Sequence, residues 1–415
     1  MKPKQLTLVI VLALTLGGLG WWIVRRDAAS FQTGGPGLGE KVLADFPLND
    51  VTKVVIRDAT NELQLVRDQE IWKVRERHDY PANFVDLGGF LRKVWELKVV
   101  QSEQVGESQL GRLQLLDPAQ GGTNAGTRVE FQGAGGKSIA TLLLGKKHMR
   151  QSDTSSSFGG EGYPDGRWVR VVGGAGQAAL VSETFNEIEP KADRWLNKDF
   201  FKVEKLKSVE VTHPEPTNSW RLYRETEGGE LKLADTTEGE KLDTGKASPV
   251  GTILSWPSFV DVVAADAPAD VTGLDAPVVA RLETFEGFTY QLKLGGKSET
   301  NENHHIQISV NGDFPKERTA GPDEKPEDKE RLDQEFKEKT DKLEEKLKKE
   351  KAFDGWTYLV SKWTVENLLK PRKEFLAEEK PATPEATSGV VQPAEPHPGP
   401  LPPPPPVPDP IAPNP

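Results

Sequence analysis

The chain of 415 residues contains no cysteine. Disulfide bridges, thiolate metal sites and cysteine nucleophiles are therefore excluded. Concentrated positive charge is missing as well, because 53 lysines and arginines are outnumbered by 64 aspartates and glutamates, which gives a net charge of −11. Nucleic-acid phosphates require clustered lysine and arginine, so the composition argues against nucleic acid as a partner.

Complete motifs for nucleophilic catalysis or phosphate binding are also missing. No G-x-S-x-G occurs, and the serines at 155–157 lie in a Gly/Ser loop without a nearby base. Two Gly-Lys-Ser triplets, ending at Ser138 and Ser298, resemble the end of a P-loop. However, Phe131 and Gln291 stand where that motif needs its first glycine, so we expect no nucleotide site.

One glycine-rich segment resembles a dinucleotide-binding fingerprint. Residues 174–179 (GAGQAA) fit G-x-G-x-x-A, which requires a following helix within a βαβ unit. Here the preceding segment is a hairpin strand, and the apolar residues at 178–181 are expected to pair straight back onto it. We predict a Gly-rich hairpin turn.

Histidines and carboxylates do not form a convincing site. The six histidines are scattered, and the neighbours His304 and His305 would point to opposite faces of a strand, so surface histidines are expected. Four aspartates could suggest glycosidase-type acid/base chemistry: Asp261, Asp266, Asp270 and Asp275. Asp275 has a counterpart in Asp117, each in a turn before proline, which favours backbone capping. No catalytic, cofactor-binding or metal residue is predicted, and the chain is not expected to be an enzyme.

The N-terminus predicts a membrane anchor over residues 1–26. Residues 6–24 are free of charge, and a helix of 19 residues spans roughly the hydrocarbon core of a bilayer. Trp21 and Trp22 precede Arg25 and Arg26, an arrangement typical of a membrane border. A cleaved signal peptide, with small residues at 28–30, is the alternative. A Gly-rich linker follows over 27–45.

The rest of the chain predicts an α+β fold made of two tandem duplicated β-rich units, 46–202 and 203–376, each with one main helix. In the first unit short alternating strands precede a helical pattern from Phe84 to Leu97, and further strands follow. The second unit repeats this order, with a helix-like stretch from Val250 to Phe259. Two packed domains are expected rather than an open array.

Three landmarks support the duplication. Leu116 with Asp117 matches Leu274 with Asp275 at an offset of 158, and Gly145 matches Gly295 at an offset of 150. The segment 167–169 (RWV) is matched with 355–358 (GWTY), where the offset reaches 188, so an insertion is placed in the second copy.

The insertion, 313–352, carries a highly charged core, with 12 acidic and 10 basic residues among the 29 at 323–351. Favourable i,i+4 pairs such as Glu345 with Lys349 predict a helix. Its apolar seam is Leu332, Phe336, Leu343 and Leu347. An exposed helix is the main expectation, and a projecting arm or a short coiled-coil contact is the alternative.

The C-terminal segment 377–415 predicts a disordered, Pro-rich tail. Its last 23 residues contain 13 prolines, including the run 402–406. Such a composition builds no core and favours polyproline II.

Several short segments resemble the bacterial family known as domain of unknown function 4340. They are 71–74 (IWKV), 80–83 (YPAN) leading into a Leu-rich helix, 116–118 (LDP) with its twin 273–275 (GLD), and 193–199 (DRWLNKD). In the first copy Leu115 stands where the family has a glycine before Leu-Asp. The resemblance implies an envelope protein encoded beside ABC transporters related to gliding-motility systems, and it supplies no catalytic residues.

Two functional hypotheses follow. The first is a single-pass protein of the bacterial inner membrane, with residues 41–376 in the periplasm, which acts as a non-enzymatic accessory or scaffold subunit beside an ABC transporter permease. The alternative is a periplasmic enzyme or binding protein that acts on a cell-surface polymer.

Overall fold

A computed structural model describes residues 37–150, 162–174, 177–264, 267–298, 301–321 and 324–378. The predicted anchor, the serines at 155–157 and residues 379–415 of the Pro-rich tail lie outside these ranges. Within them, no helix is both long and apolar enough to cross a membrane. The fold is α+β, with two antiparallel sheets and few helices.

The first sheet has nine strands in the order β4-β3-β2-β1-β6-β7-β8-β9-β5. The strands are β1 (Lys53–Arg57), β2 (Glu62–Asp68), β3 (Ile71–Val74), β4 (Tyr80–Pro81), β5 (Gln101–Gln104), β6 (Thr127–Gln132), β7 (Ser138–Arg150), β8 (Tyr163–Val171) and β9 (Gln177–Val181). Helix α1 (Phe84–Glu96) has buried residues Leu87, Phe90, Leu91 and Val94 at three- and four-residue spacing, as predicted.

The second sheet has eight strands in the order β12-β11-β10-β14-β15-β16-β17-β13. The strands are β10 (Leu206–Thr212), β11 (Trp220–Tyr223), β12 (Lys232–Leu233), β13 (Phe259–Val263), β14 (Val278–Thr284), β15 (Phe288–Lys297), β16 (His304–Gly312) and β17 (Thr357–Val360). Its helices are α2 (Thr244–Ala247), α3 (Ala269–Thr272), α4 (Lys329–Glu350) and α5 (Lys362–Leu369).

The two strand orders coincide once β4 is set aside. When β1 is matched with β10, β6 with β14 and β9 with β17, every other strand of the first sheet has a counterpart at the same place in the second. Gly145 and Gly295 occupy matching places, since a Cβ on either glycine would collide with a preceding loop carbonyl, that of Leu113 or Thr272. In both sheets the strand register also shifts at this glycine. The shift follows Leu144 in the first sheet and Leu294 in the second.

The loop before each glycine corrects one detail of the sequence comparison. Gln114 and Gly273 are both left-handed, with φ of 54° and 66°, and the next residues, Leu115 and Leu274, pack against Gly145 and Gly295. Gln114 therefore holds the position of the family glycine, and Leu115 is the counterpart of Leu274. Leu116 adds one residue to the first loop.

The third landmark was wrong. Residues 167–169 lie in β8, whose place in the sheet is that of β16, whereas Trp356 precedes β17, the counterpart of β9. The match failed because each tryptophan closely follows a glycine, Gly166 or Gly355, although only Trp168 lies within a strand. The insertion itself lies in the β16–β17 connection, where the first sheet has only the short β8–β9 turn.

The predicted main helix of the second half is also absent at 250–259. Helix α2 ends before this stretch, at Ala247, and is followed by a 3-10 turn (Ser248–Thr252) and then by β13, which begins at Phe259. Pro249 lies two residues after the last residue of α2 and cannot extend it, because proline lacks the N–H that a helix interior requires.

The charged insertion forms α4, and its C-terminal half is docked rather than free. Leu343 and Leu347 pack against the core, and Glu350 is buried. Glu345 and Lys349 form the predicted ion pair at 2.7 Å, whereas Asp333 pairs with Arg318 outside the helix. The projecting-arm alternative is therefore wrong for this half of the helix.

One continuous core joins the two sheets. It runs from Val42 to Phe375 and contains buried residues of both halves. A smaller cluster, including Leu115, Leu143 and Trp168, lies on the opposite face of β7, because Leu143 alternates with Leu142 and Leu144 along that strand.

Candidate functional site

Two of the segments that carry the family resemblance, 80–83 and 193–199, meet at one place. Ala82 forms a β-bridge with Leu196, the Asn83 N–H donates to the Trp195 carbonyl at 2.8 Å, and the Asn197 N–H donates to the Pro81 carbonyl at 2.9 Å. Segments more than a hundred residues apart are thus held side by side. Their meeting point lies where the first sheet contacts the second.

Asn83 also begins helix α1 at this point. Its side-chain oxygen accepts hydrogen bonds from the N–H groups of Val85 and Asp86, at 3.0 and 3.2 Å. Such a cap satisfies backbone donors that the first helical turn leaves unpaired. The YPAN segment therefore sets both the start of α1 and the contact with residues 195–197.

Tyr80 is the centre of the aromatic contact between the sheets. Its ring meets those of Trp356, Phe259 and Tyr358 edge-on, with centroid separations of 4.9, 5.8 and 6.1 Å. Burial raises the pKa of the Tyr80 hydroxyl to about 12. The phenol thus stays neutral at physiological pH and serves packing.

A charged pair lies beside these rings. Arg77 donates two hydrogen bonds to the Asp261 carboxylate, at 2.7 and 2.8 Å, and so ties the first sheet to β13 of the second. The Lys198 ammonium donates to the Val260 carbonyl at 2.6 Å, and burial lowers its pKa. Bidentate arginine–carboxylate pairs are among the stronger and more directional polar contacts.

A groove of about 940 Å³ opens next to this contact, and we call it the junction groove. Its lining includes Tyr80, Lys198, Lys202, Trp256, Lys346 and Glu350. It brings family-motif residues, the exposed Trp256 loop and the inserted helix α4 to one surface. Its lining combines aromatic rings, cations and carboxylates, a mixture suited to binding a polar peptide segment.

Glu350 is the buried carboxyl of the groove. It accepts hydrogen bonds from the Lys202 N–H at 2.9 Å and from the Tyr290 hydroxyl at 2.8 Å. Burial raises the pKa of this carboxyl, although its two donors act in the opposite direction. Lys346 of the same helix turn pairs with Glu204 at 2.6 Å. These contacts fix the end of α4 onto the second sheet.

A second groove, of about 870 Å³, runs along the outer side of α1. It is lined by Phe84, Val85 and Trp95, which are 66%, 79% and 43% exposed, and by Leu48 and Arg92. Large apolar side chains with this exposure form a patch that a folded chain ordinarily covers or uses for contact.

The aspartates predicted as a possible acid/base cluster are not brought together. Asp261 is paired with Arg77, Asp270 and Asp275 are exposed around α3, and Asp266 lies outside the described residues. Asp117 is a cap, as predicted, because it accepts a hydrogen bond from the Ala119 N–H at 2.9 Å. Among the residues that the structure describes, no three His, Asp or Glu side chains converge as metal ligands.

Two histidines differ from expectation, whereas His78 and His148 are exposed, as expected. His304 and His305 are buried, not on the surface, and their Nδ1 atoms lie 3.5 and 3.2 Å from the carbonyls of Gly295 and Gly296. The irregular register of β15 after Leu294 turns these carbonyls towards the neighbouring strand, where the imidazoles contact them. A purely local reading of the sequence could not show this contact.

The glycine-rich segment 174–179 joins two antiparallel strands, as predicted, although residues 175–176 lie outside the described residues. Its last three residues already belong to β9, which pairs back onto β8, so no βαβ unit surrounds it. Ser138 begins β7 directly after a turn, and Lys297 ends β15, so neither Gly-Lys-Ser triplet opens a helix.

Sequence reasoning missed Trp256 and Glu350 as parts of the junction groove, and Trp356 as a ring that packs on Tyr80. Glu350 was hidden among the charges of the insertion, although it is the one buried residue of α4. The signal that could have indicated it is its position seven residues after Leu343, on the same helix face.

Residues 72–277 match the model of a family described as a domain of unknown function, DUF4340. The match confirms the resemblance drawn from the sequence, and these residues belong to that family. No curated protein and no solved structure matches the chain.

Proposed function

We propose that the chain is a membrane-anchored, non-enzymatic scaffold protein of the bacterial envelope that binds partner proteins beside an ABC-type transporter. The anchor is residues 6–24, with Trp21, Trp22, Arg25 and Arg26 at the membrane border. The transporter association is drawn from the family resemblance. The fold then presents its grooves in the periplasm.

The observation that carries the binding role is the junction groove. Its charged lining is engaged in the fold, because Glu350 accepts two hydrogen bonds and Lys346 pairs with Glu204. Groups held in this way shape a surface rather than exchange protons with a substrate. The single continuous core keeps both sheets in position around the groove.

We further propose that the two β-rich halves arose by tandem duplication. Ala82 bridges Leu196 in the first half, and Leu242 bridges Leu376 in the second. Asn83 and Asp243, the next residues, each cap a helix with a side-chain oxygen. The same strand order, the same closing bridge and the same cap are hard to obtain independently. On this basis each unit ends at its bridging leucine.

Topology is tested by fusing alkaline phosphatase after Leu376 and following the chain in membrane fractions. We expect an active fusion that stays with the membrane. An inactive fusion, or a mature chain that starts near Phe31, contradicts the anchored periplasmic arrangement.

Partner binding is tested by placing a photo-crosslinking amino acid at Lys342, which lines the junction groove, in the full-length protein in its own membrane. Lys339 is the matched control, because it is exposed on the same helix and does not line that groove. We expect protein adducts from position 342 that are absent from 339. Equal labelling or no adduct at either position contradicts the proposal.

The alternative, an enzyme acting on a cell-surface polymer, has one observation in its favour. Glu350 combines a raised pKa with a position in a groove, which is a common property of catalytic carboxyls. Hydrolysis of purified envelope polymer that disappears in Glu350→Gln, while the fold is retained, would replace the scaffold proposal.

A further inference from the structure

Two tryptophans are almost fully exposed in the second half of the molecule. Trp256 is 82% exposed and Trp363 is 78% exposed, whereas tryptophan is ordinarily among the well-buried residues. Both line one groove of about 360 Å³, a volume within the range of sites that bind small molecules. We call this surface the tryptophan groove. It is formed by the loop before β13 and by helix α5.

The fold holds both indoles outward. Trp363 lies on α5, which buries Val365 and Leu368 and so leaves the tryptophan on its outer side. Trp256 follows the buried Leu254, whose left-handed φ of 58° is unusual for leucine and turns the chain there. The Lys202 ammonium lies 4.1 Å from the centre of the Trp256 ring, and this cation–π contact restrains the indole.

The rest of the lining is polar but uncharged. Of the described residues that line the groove, none carries a charge, and Thr252, Ser255 and Asn367 bring hydroxyl and amide groups. The Lys370 ammonium donates to the Asn367 side-chain oxygen at 2.8 Å, so the amide N–H groups are left to donate to a ligand. A charged ligand would lose hydration here without gaining a counter-charge, and a purely aliphatic ligand would leave these polar groups unpaired. The groove therefore fits an uncharged ligand that has both apolar faces and polar edges.

We propose that the tryptophan groove binds a neutral polysaccharide, whose sugar rings stack on Trp256 and Trp363. A sugar ring presents C–H groups on its face, and these groups are attracted to the electron-rich face of an indole. Hydroxyl groups at the edge of the ring both donate and accept hydrogen bonds, which matches the amide and hydroxyl groups around the indoles. Lys202 covers one face of Trp256, so the sugar stacks on the opposite face.

The position of Trp256 favours a chain of sugars over a single sugar. Trp256 and Pro257 line the junction groove as well as the tryptophan groove, so the two grooves adjoin at these residues. An oligosaccharide can contact both indoles and continue across the shared edge, whereas one sugar ring uses only part of this surface. The inference goes beyond the proposed scaffold role and does not depend on it or on the membrane anchor.

The test is isothermal titration calorimetry of the full-length chain with β-1,4-linked tetrasaccharides of glucose and of N-acetylglucosamine. The detergent carries no sugar headgroup, because such a headgroup would compete for the groove. We expect at least one of these neutral tetrasaccharides to bind and the negatively charged tetragalacturonate not to bind. Binding of neither neutral tetrasaccharide overturns the proposal, and so does equally tight binding of tetragalacturonate.

Substitutions then assign the binding to the indoles. Trp256→Ala and Trp363→Ala should each weaken binding about tenfold, because each variant loses one stacking surface. Trp363→Phe keeps an aromatic face and should retain most of the affinity. Trp95→Ala, which changes a partly exposed tryptophan on α1 outside this groove, is the matched control and should bind like the parent chain. Both target indoles are exposed, so the fold should be retained, which circular dichroism checks.

Two further results would contradict the assignment. Unchanged affinity in both alanine variants overturns the proposal, because the sugar would then bind elsewhere. A decaproline peptide that binds more tightly than either neutral tetrasaccharide, and loses affinity in the same two variants, also overturns it. That result would assign the groove to a proline-rich partner instead.

Discussion

The β8–β9 and β16–β17 connections occupy the same place in two sheets of the same strand order, yet they differ greatly in size. The first is a short turn between Val171 and Gln177, and the second includes the 22-residue helix α4. The strands on either side keep their antiparallel pairing in both sheets. The same strand order is therefore compatible with connections that differ by dozens of residues, because loop-closure free energy rises only slowly with length.

The helices that cover the sheets differ in a related way. Helix α1 has 13 residues, whereas α2, which follows the equivalent cap, has four. Helix α4 packs Leu343 and Leu347 onto the second half, where the first half has no comparable insertion. The comparison indicates that strand order is the fixed part of this architecture and that helical cover varies.

The strongest test of the comparison uses the two matched glycines. Gly145→Ala and Gly295→Ala should each destabilise the protein by about 3 kcal/mol or more, because the new Cβ collides with a backbone carbonyl that cannot easily shift. Chemical denaturation measures the loss.

Gly106→Ala is the control for this pair, since a Cβ there meets nothing within 4 Å, and it should be nearly neutral. If one of the two matched glycines tolerates alanine as Gly106 does, the loops that pack against Gly145 and Gly295 are not equivalent.

The second test asks whether the inserted helix has become part of the fold. Glu350→Ala should cost about 2 kcal/mol, because the Lys202 N–H and the Tyr290 hydroxyl lose a buried acceptor. Glu350→Gln keeps an acceptor and should cost less. If Glu350→Ala leaves the free energy of unfolding unchanged in denaturation experiments, α4 is only loosely attached to the second sheet.

The same residue predicts a pH dependence. Burial raises the Glu350 pKa in the folded chain, so the folded state retains a proton that the unfolded state releases. The stability from this group is present below the ordinary glutamate value of 4.5 and is lost as the pH rises from there through the folded pKa. Glu350→Gln should flatten this part of the melting-temperature profile. Identical profiles for the two proteins would contradict the assignment.

The matched caps give a smaller effect. Asn83→Ala and Asp243→Ala each remove a side-chain acceptor for two helical N–H groups, at a cost of about 1 kcal/mol. We expect Asn83 to matter more, because it begins a 13-residue helix that covers the core. Thermal denaturation of both variants shows which substitution costs more stability. A larger loss of stability in Asp243→Ala than in Asn83→Ala would contradict our view that α1 contributes more than α2.

Local patterns predicted most of the strands and helix α1, because alternating and three- to four-residue spacings record which side of an element is buried. They failed for the long-range register. Trp168 and Trp356 look alike locally, yet Trp168 lies in β8 and Trp356 precedes β17, and only the sheet order shows that these strands are not counterparts. The Arg77–Asp261 pair joins residues 184 positions apart, and no short motif encodes such a meeting.

The smallest effect concerns the two glycines inside α1. Gly89→Ala should stabilise the protein by about 0.5–1 kcal/mol, because a Cβ there meets nothing within 4 Å and alanine has the higher helix propensity.

Gly89 also lines the groove with Phe84, Val85 and Trp95. A binding surface often keeps a residue that is unfavourable for stability. If the groove along α1 binds a partner, Gly89→Ala should raise the melting temperature and lower crosslinking from a probe at Arg92. A gain in stability with unchanged crosslinking would leave only helix propensity as the role of this position.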